Sequence, residues 1–221
     1  MPKSYKLISI FLCSFANEFK EGARSNGRRC MVYNYYPGCT LSTKAKQLDL
    51  YARKSAQALG FTLAELEDWQ CCGAVYPLAE DEIAARLSSV RSLAAAKDGK
   101  LVTLCSACHH VLKRVNGYLQ LPKPYNGETA VIHYLEILRD ELGFAALADR
   151  VSKPLTGRKI GAYYGCLLLR PAGVMQFDDP ENPTILEDFI KALGAEPVVY
   201  DYRNECCSGY AALENKESAE N

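Results

Sequence analysis

Apolar residues in this sequence form short β-prone runs that alternate with longer stretches of helical spacing. Residues 48–59 carry apolar side chains on one helical stripe, and Gly60 stands where such a helix ends. A second stripe runs through residues 83–94. The β-prone runs predict strands over residues 31–36, 66–69, 100–104, 159–164 and 197–200.

The order of these elements predicts an α/β fold. Strands and helices alternate in the first half, which is the layout of a parallel sheet with right-handed crossovers. The second half repeats this order with a helix over residues 184–193, for which Asn182 is the expected cap and Pro183 lies in the first turn. We therefore expect parallel sheets in both halves.

Three short motifs recur in the same order, which indicates an internal duplication. They are YYPGC at 35–39 with AYYGC at 162–166, QALGF at 57–61 with KALGA at 191–195, and WQCCG at 69–73 with NECCS at 204–208. The second copy carries extra residues in the stretch RPAGVMQFDDPENP.

The predicted organisation is two homologous βαβ-type units with flanking segments, of which the second unit is incomplete. The segments are an N-terminal extension over 1–30, a first unit over 31–125, a helical connector over 126–157 and a second unit over 158–221.

Charge and hydropathy exclude several classes of function. Lys and Arg together number 26, as do Asp and Glu, so no overall field points to nucleic acid. No run of 18 apolar residues is present, so we expect no transmembrane segment. Residues 7–16 weakly resemble the apolar part of a signal peptide, but no clear cleavage site follows. We expect a cytoplasmic protein with an N-terminal extension.

Ten cysteines are present, and five of them follow predicted strands of the first unit. The carboxyl ends of parallel strands lie along one edge of a sheet, where ligands bind. These thiols are therefore expected to converge. The five are Cys39, Cys71, Cys72, Cys105 and Cys108.

Convergent thiols have several interpretations. Iron–sulfur clusters are held by cysteine thiolates and accept ligands from several loops, so five thiols favour such a cluster. A zinc site closes with four ligands and would leave one cysteine over. A dithiol redox centre and buried structural cysteines are further alternatives, whereas disulfides require an oxidising compartment for which the sequence gives little support.

The motifs together resemble a known family. YYPGCTL, DWQCCGA and CSACHH, followed by AYYGCLLLRP, FDDPENPTILEDFIKALGAEPV and ECC, are similar to the duplicated CCG (cysteine-rich) domains. The similarity is greatest to the B subunits of the CoB–CoM heterodisulfide reductases and their bacterial relatives, and it covers roughly residues 33–208. The resemblance implies an oxidoreductase of the type found in methanogenesis, which cleaves a disulfide substrate reductively between two facing noncubane [4Fe-4S] clusters.

The resemblance also implies the ligands of those clusters. The five cysteines of the first unit match one complete ligand set, and Cys166, Cys206 and Cys207 match three of five in the second. The catalytic residues that it implies are Cys39, Cys71, Cys72, Cys166, Cys206 and Cys207. Flavin-binding and cubane-cluster motifs do not occur in the sequence, so the implied electron donors are a ferredoxin-like iron–sulfur subunit and a flavoprotein subunit of the same complex.

The sequence departs from the family pattern in the second unit. Ser208 stands where glycine is expected, and no CxxC motif follows Cys207. The expectation is a gene fragment or a natural short form that holds at most one stable cluster and is inactive alone. The alternative function is an electron-transfer iron–sulfur subunit of a 2-hydroxyacid oxidase or a quinone-linked reductase.

The remaining polar and thiol residues have plainer interpretations. Cys13 and Cys30 lie outside both repeats and are expected to be incidental thiols. We expect His109 and His110 to start a helix, with donation to a cluster as the alternative, and His133 to pack in the core on a helical face. Asp178 and Asp179 are expected to fix a turn through their carboxylates, with a proton source near the substrate as the alternative for Asp178.

Overall fold

A computed structural model of the chain describes residues 31–74, 82–97, 99–118, 128–215, 217 and 219. The predictions for the N-terminal extension, Cys13 and Cys30 lie outside these residues. The strands are β1 (Met31–Tyr36), β2 (Phe61–Glu65), β3 (Lys100–Thr103), β4 (Ala130–His133), β5 (Lys159–Gly161) and β6 (Glu196–Val198). The α-helices span Gly38–Thr43, Lys46–Leu59, Glu82–Ala95, Ser106–Tyr118, Tyr134–Glu136, Phe144–Ala148, Ala172–Met175, Ile185–Ala192 and Ala211–Glu214, and Ile137–Leu142 is π-helical.

Both sheets are parallel, which confirms the predicted α/β fold. The first sheet has the strand order β2-β1-β3-β4, and every neighbouring pair in it is parallel. The second sheet consists of β5 and β6, also parallel. The pair β5–β6 occupies the same place in the second repeat as β1–β2 in the first.

The second strand lies earlier than the sequence pattern suggested. Gly60 ends the preceding helix with a φ of 92°, and β2 begins at the next residue instead of at Leu66. The predicted strand over 66–69 is therefore wrong. Asp68 has a φ of 53°, which breaks an extended conformation there, and the aromatic Trp69 belongs to the loop that leads to the cysteines.

A fourth strand was missed because its sequence also fits a helix. Residues 130–133 lie within the predicted helical connector, but they form β4, which pairs with β3. The helical hydrophobic spacing belongs to the residues that follow, and His133 is the N-cap of that helix. Its side chain is buried, as predicted.

The N-terminus of the helix Ile185–Ala192 is capped by the side chain of Asp178 and not, as predicted, by Asn182. Thr184 is at the N-cap position, and the carboxylate of Asp178 accepts hydrogen bonds from the backbone N–H groups of Thr184 and Ile185, both at 2.7 Å. Asn182 is thus not the cap. Asp179 accepts from the N–H of Glu181 at 2.9 Å, so both aspartates stabilise the turn as predicted.

The two repeats share one hydrophobic core. Tyr35 and Leu63 of the first sheet are buried in the same cluster as Ala162 and Phe189 of the second repeat. Polar bonds join the repeats as well; for example, Nδ1 of His110 in the first repeat lies 3.1 Å from the carbonyl oxygen of Leu167 in the second. The relative position of the two repeats is therefore set by packing.

His133 is expected to make the stability of this core depend on pH. Its Nε2–H donates to the Leu104 carbonyl at 3.2 Å and its Nδ1 accepts from the N–H of Leu135 at 3.3 Å, so only a neutral ring makes both bonds. Burial, assisted by the charge of Lys113, lowers the pKa of His133 to about 4 from its ordinary 6.5. Between these values the unfolded chain binds the proton and the folded chain does not. The free energy of unfolding should therefore fall by roughly 3 kcal/mol as the pH drops from 6.5 to 4.

Denaturant unfolding across this pH range, compared with His133→Asn, tests the effect. Asn keeps an N-cap side chain but cannot be protonated. His109, Lys113 and Glu136 face His133 and remain in both proteins, so their titration contributes to both curves. Equal pH slopes in the two proteins would contradict the prediction.

Candidate functional site

Every cysteine of the first repeat follows the carboxyl end of a parallel strand. Cys39 lies at the start of the helix after β1, and Cys105 and Cys108 lie at the start of the helix after β3. Cys71 and Cys72 are in the loop after β2. Because β1 pairs with both β2 and β3, the three segments meet at one edge of the sheet.

The thiols of this first site meet in pairs. The Sγ atoms of Cys39 and Cys71 are 3.7 Å apart, and those of Cys72 and Cys108 are 3.5 Å apart. Cys105 also interacts with Cys108, so three thiols are neighbours at this edge of the sheet. Cys72 and Cys108 are buried, while Cys39, Cys71 and Cys105 are partly buried.

No three His, Cys, Asp or Glu side chains of the described residues gather closely enough to hold one metal ion. The eight cysteines in this part of the chain are all free thiols. The arrangement is a set of close pairs around one sheet edge instead of a cage for a single ion.

Contacts between the thiols change their acidity. Interaction with the Cys108 thiol lowers the pKa of Cys105 to about 6 and also lowers that of Cys72. The same interactions, together with burial, raise the pKa of Cys108 itself. Burial raises the pKa of Cys71. Part of the group is thus prepared to be thiolate at neutral pH, which is the form that binds metals.

The second site is smaller and more exposed. Cys166 interacts with Cys206, and burial together with this interaction raises the pKa of Cys166 to about 11. Cys206 and Cys207 are exposed. The loop before them is held by Arg203, whose carbonyl accepts from the N–H of Tyr164 at 2.8 Å and whose Nε lies 3.0 Å from the carboxylate of Glu187.

The two thiol sites lie close to each other. His110, two residues after Cys108, hydrogen-bonds through Nδ1 to the carbonyl of Leu167, which follows Cys166, at 3.1 Å. Burial raises the pKa of Tyr210, and the charges of Cys72 and Cys166 add to that shift. The expected juxtaposition of the sites is therefore supported by the contact between His110 and Leu167.

The histidines of the motif CSACHH lie inside the helix Ser106–Tyr118 instead of only starting it. His109 is fully buried, and its Nδ1 is 3.1 Å from the Thr103 hydroxyl. Burial lowers its pKa well below the usual value. His109 therefore anchors the helix to β3, and His110 joins the two repeats.

Sequence reasoning missed two residues of the first site, Tyr36 and Gly38. Tyr36 is fully buried, and burial raises its pKa, with the charges of Cys108 and Cys72 adding to the shift. Gly38 has a φ of 73°, and a Cβ added there would lie 2.7 Å from Cys108 Sγ. Both residues belong to the motif YYPGC and recur in its second copy, AYYGC. This recurrence is the sequence signal that could have identified them.

Comparison with known proteins connects these motifs to a family. A model of the cysteine-rich domain, CCG, matches residues 33–113 and 160–221. The two matched segments contain the two thiol sites described above. They also reproduce the division into two repeats.

Several characterised proteins are similar over most of the chain. The 8-methylmenaquinol:fumarate reductase membrane anchor subunit of Wolinella succinogenes is 33% identical over 202 residues, which cover 85% of this chain and 70% of that protein. A protein of Archaeoglobus profundus, named as similar to the heterodisulfide reductase B subunit, is 27% identical over 84% of this chain and 68% of its own length. The B subunit of the ferredoxin/F420H2-dependent CoB–CoM heterodisulfide reductase of Methanosarcina acetivorans is 26% identical over 87% of this chain and 67% of its own length.

One of these relatives is named as a membrane anchor subunit, so the question is whether a helix of the present chain could cross a membrane. Within the residues that the structure describes, none of the helices has the length and apolar character needed to cross a membrane. The matched model covers more than half of the chain and both thiol sites. The chain therefore belongs to the cysteine-rich (CCG) domain family.

Proposed function

We propose that this chain is an iron–sulfur redox subunit of a heterodisulfide-reductase-like complex, which contributes to the reductive cleavage of a disulfide to two thiols. The observation that carries the proposal is the set of paired thiols at the ends of β1, β2 and β3. The similarity to the B subunits of heterodisulfide reductases supports it independently.

The spacing of the thiols fits metal binding. A metal–sulfur bond of about 2.3 Å at tetrahedral angles puts two thiolates of one metal ion about 3.8 Å apart. The Cys39–Cys71 and Cys72–Cys108 pairs have separations of 3.7 and 3.5 Å. Two such pairs, with Cys105 beside Cys108, suit a cluster of several metal ions better than one ion. We assign these five cysteines as its ligands, and Cys166, Cys206 and Cys207 as ligands at the second site.

A noncubane [4Fe-4S] cluster held by the five cysteines of the first site would supply one-electron transfer, and a second such cluster would need ligands beyond the three cysteines of the second site. Disulfide cleavage consumes two electrons and two protons, so two neighbouring one-electron sites suit it. In this chain the bond between His110 and the Leu167 carbonyl keeps the sites adjacent. The exposure of Cys206 and Cys207 leaves the second site open to a substrate or a partner protein. Because the chain is similar to heterodisulfide reductase B subunits, a ferredoxin-like subunit and a flavoprotein subunit are the proposed electron donors.

A second candidate is electron transfer in a quinone-linked reductase. The Wolinella relative favours it, because that protein is a subunit of an 8-methylmenaquinol:fumarate reductase and is 33% identical to this chain. In that function the thiol sites would pass electrons without binding a disulfide. Both candidates require the same iron–sulfur sites, and they differ in the acceptor of the electrons.

Anaerobic purification of the full chain and a reduction assay separate the candidates. We expect about four iron and four acid-labile sulfide per chain, from the five-cysteine first site, and only slow oxidation of reduced methyl viologen on addition of a mixed thiol disulfide, because the second site has three cysteines. Reduced clusters that are reoxidised by a menaquinone analogue but not by the disulfide would favour the second candidate. Protein without iron and sulfide after anaerobic reconstitution would overturn both.

A further inference from the structure

The same tyrosine hydrogen bond occurs in both repeats. The hydroxyl of Tyr36 donates to the carbonyl of Gln70, the residue immediately before Cys71. The hydroxyl of Tyr163 donates to the carbonyl of Glu205, the residue immediately before Cys206, at 2.9 Å. Each tyrosine is three residues before the lone cysteine of its repeat, so the bond joins the two segments that carry the thiols.

The backbone around this bond is duplicated as well. Gly38 and Gly165, each directly before a lone cysteine, have φ values of 73° and 64°. Gly73 and Ser208, each directly after a cysteine pair, have φ values of 78° and 56°. Ser208 keeps the left-handed conformation although a side chain disfavours it, which indicates that the loop geometry is imposed by its surroundings.

The tyrosine rings pack against the glycines in the same way. A Cβ added at Gly38 would lie 3.3 Å from the ring of Tyr36, and one at Gly165 would lie 3.5 Å from the ring of Tyr163. Tyr36 is fully buried, whereas Tyr163 is 40% exposed. Core packing therefore cannot be what the two tyrosines have in common; the shared feature is the hydroxyl bond to the cysteine-pair loop.

We propose that Tyr36 and Tyr163 are positioning residues, each of which holds the cysteine-pair loop of its own repeat against the end of the first strand. The bond places Cys71 beside Cys39 in the first repeat and Cys206 beside Cys166 in the second. The identity of the bound group rests on the function proposed above. The bond from each tyrosine to its cysteine-pair loop, called the clamp below, does not depend on which group is bound. Loss of the hydroxyl frees the loop and loosens one thiol site without affecting the other.

Tyrosine-to-phenylalanine variants of the full chain test this clamp with two measurements. The first is the rate of iron loss from the anaerobically loaded protein to a chelator. The second is the rate of alkylation of each cysteine in the metal-free protein, resolved by peptide mass spectrometry. One neutral hydrogen bond to the loop corresponds to an expected acceleration of roughly 2- to 10-fold. Tyr36→Phe should accelerate iron loss and the alkylation of Cys71 and Cys72, and Tyr163→Phe the alkylation of Cys206 and Cys207.

Tyr35→Phe is the matched control. Tyr35 is the buried neighbour of Tyr36, and its hydroxyl donates to the carboxylate of Asp49 at 2.8 Å, away from the cysteine loops. Its loss should leave iron release and cysteine alkylation unchanged. Equal rates in wild type and in both clamp variants, or equal acceleration by Tyr35→Phe, would overturn the proposal.

The two measurements also separate the clamp from the proposed function. Wild-type protein that binds no iron would refute the proposed function. The alkylation rates would still show whether the tyrosines hold the cysteine-pair loops. If Tyr36→Phe does not fold, Tyr163→Phe still decides it, because that ring is partly exposed. Unchanged alkylation at Cys206 and Cys207 in that variant would count against the clamp.

Discussion

Replacing Cys72 by serine should remove the cluster from the first site, with a loss of about four iron and four sulfide per chain. Cys72 is buried, and its Sγ lies 3.5 Å from that of Cys108, so its thiolate is placed to share a metal with a second ligand. A serine hydroxyl in this position remains protonated and does not replace a thiolate. Iron and acid-labile sulfide analysis of anaerobically reconstituted protein, with the visible absorption spectrum, measures the loss.

Cys13→Ser is the matched control for this substitution, because Cys13 lies outside both repeats in the sequence. It should retain wild-type iron and sulfide. Cys72→Ala should behave like Cys72→Ser, since either change removes the thiolate. Circular dichroism of the three metal-free variants distinguishes ligand loss from unfolding. Full iron content in Cys72→Ser would remove Cys72 from the ligand set and weaken the assignment of the first site.

Much of the fold could be predicted because the sequence contains its pattern twice. The repeated Gly-Cys and Cys-Cys motifs lie in segments that follow strands, and a parallel sheet brings the carboxyl ends of its strands to one edge. The strands over residues 31–36 and 100–104 were found because their apolar runs are short and end at turn signals. The prediction that separate thiols approach one another followed from topology and not from local propensity.

The second and fourth strands were harder to predict for physical reasons. Phe61–Glu65 follows the helix C-cap without a loop, so its start depends on the left-handed conformation of Gly60. Ala130–His133 is stabilised by pairing with β3, a tertiary contact that local residue patterns do not reveal. Hydrophobic spacing alone did not separate this strand from the helix that follows.

The details of the candidate site depend on contacts between distant segments. Which thiols pair, Cys39 with Cys71 and Cys72 with Cys108, follows from how three loops fold over one sheet edge. The bond from Tyr36 to the Gln70 carbonyl involves a backbone atom, and a backbone acceptor leaves no residue signature in a sequence. Only the recurrence of tyrosine before Gly-Cys in both repeats pointed to it.

Replacing Gly38 by alanine should disrupt the first thiol site directly. Gly38 has a φ of 73°, a conformation that costs a residue with a side chain roughly 1–2 kcal/mol. The added Cβ would also lie 2.7 Å from Cys108 Sγ, so this sulfur or the helix that carries it has to move. Overpacking of this kind costs typically about 1–3 kcal/mol more. We expect the free energy of unfolding of the metal-free protein to fall by roughly 2–5 kcal/mol, and iron binding at the first site to be lost.

Gly60→Ala separates the strain from the collision with the thiol. Gly60 has a φ of 92°, and no described atom lies within 4 Å of a Cβ added there. This variant should lose only the roughly 1–2 kcal/mol of backbone strain and should bind iron like the wild type. Denaturant unfolding of the metal-free proteins and iron analysis after reconstitution measure both quantities. Wild-type iron binding by Gly38→Ala would mean that Cys108 can shift without loss of the cluster, so the close approach of Gly38 to this thiol would not be what shapes the site.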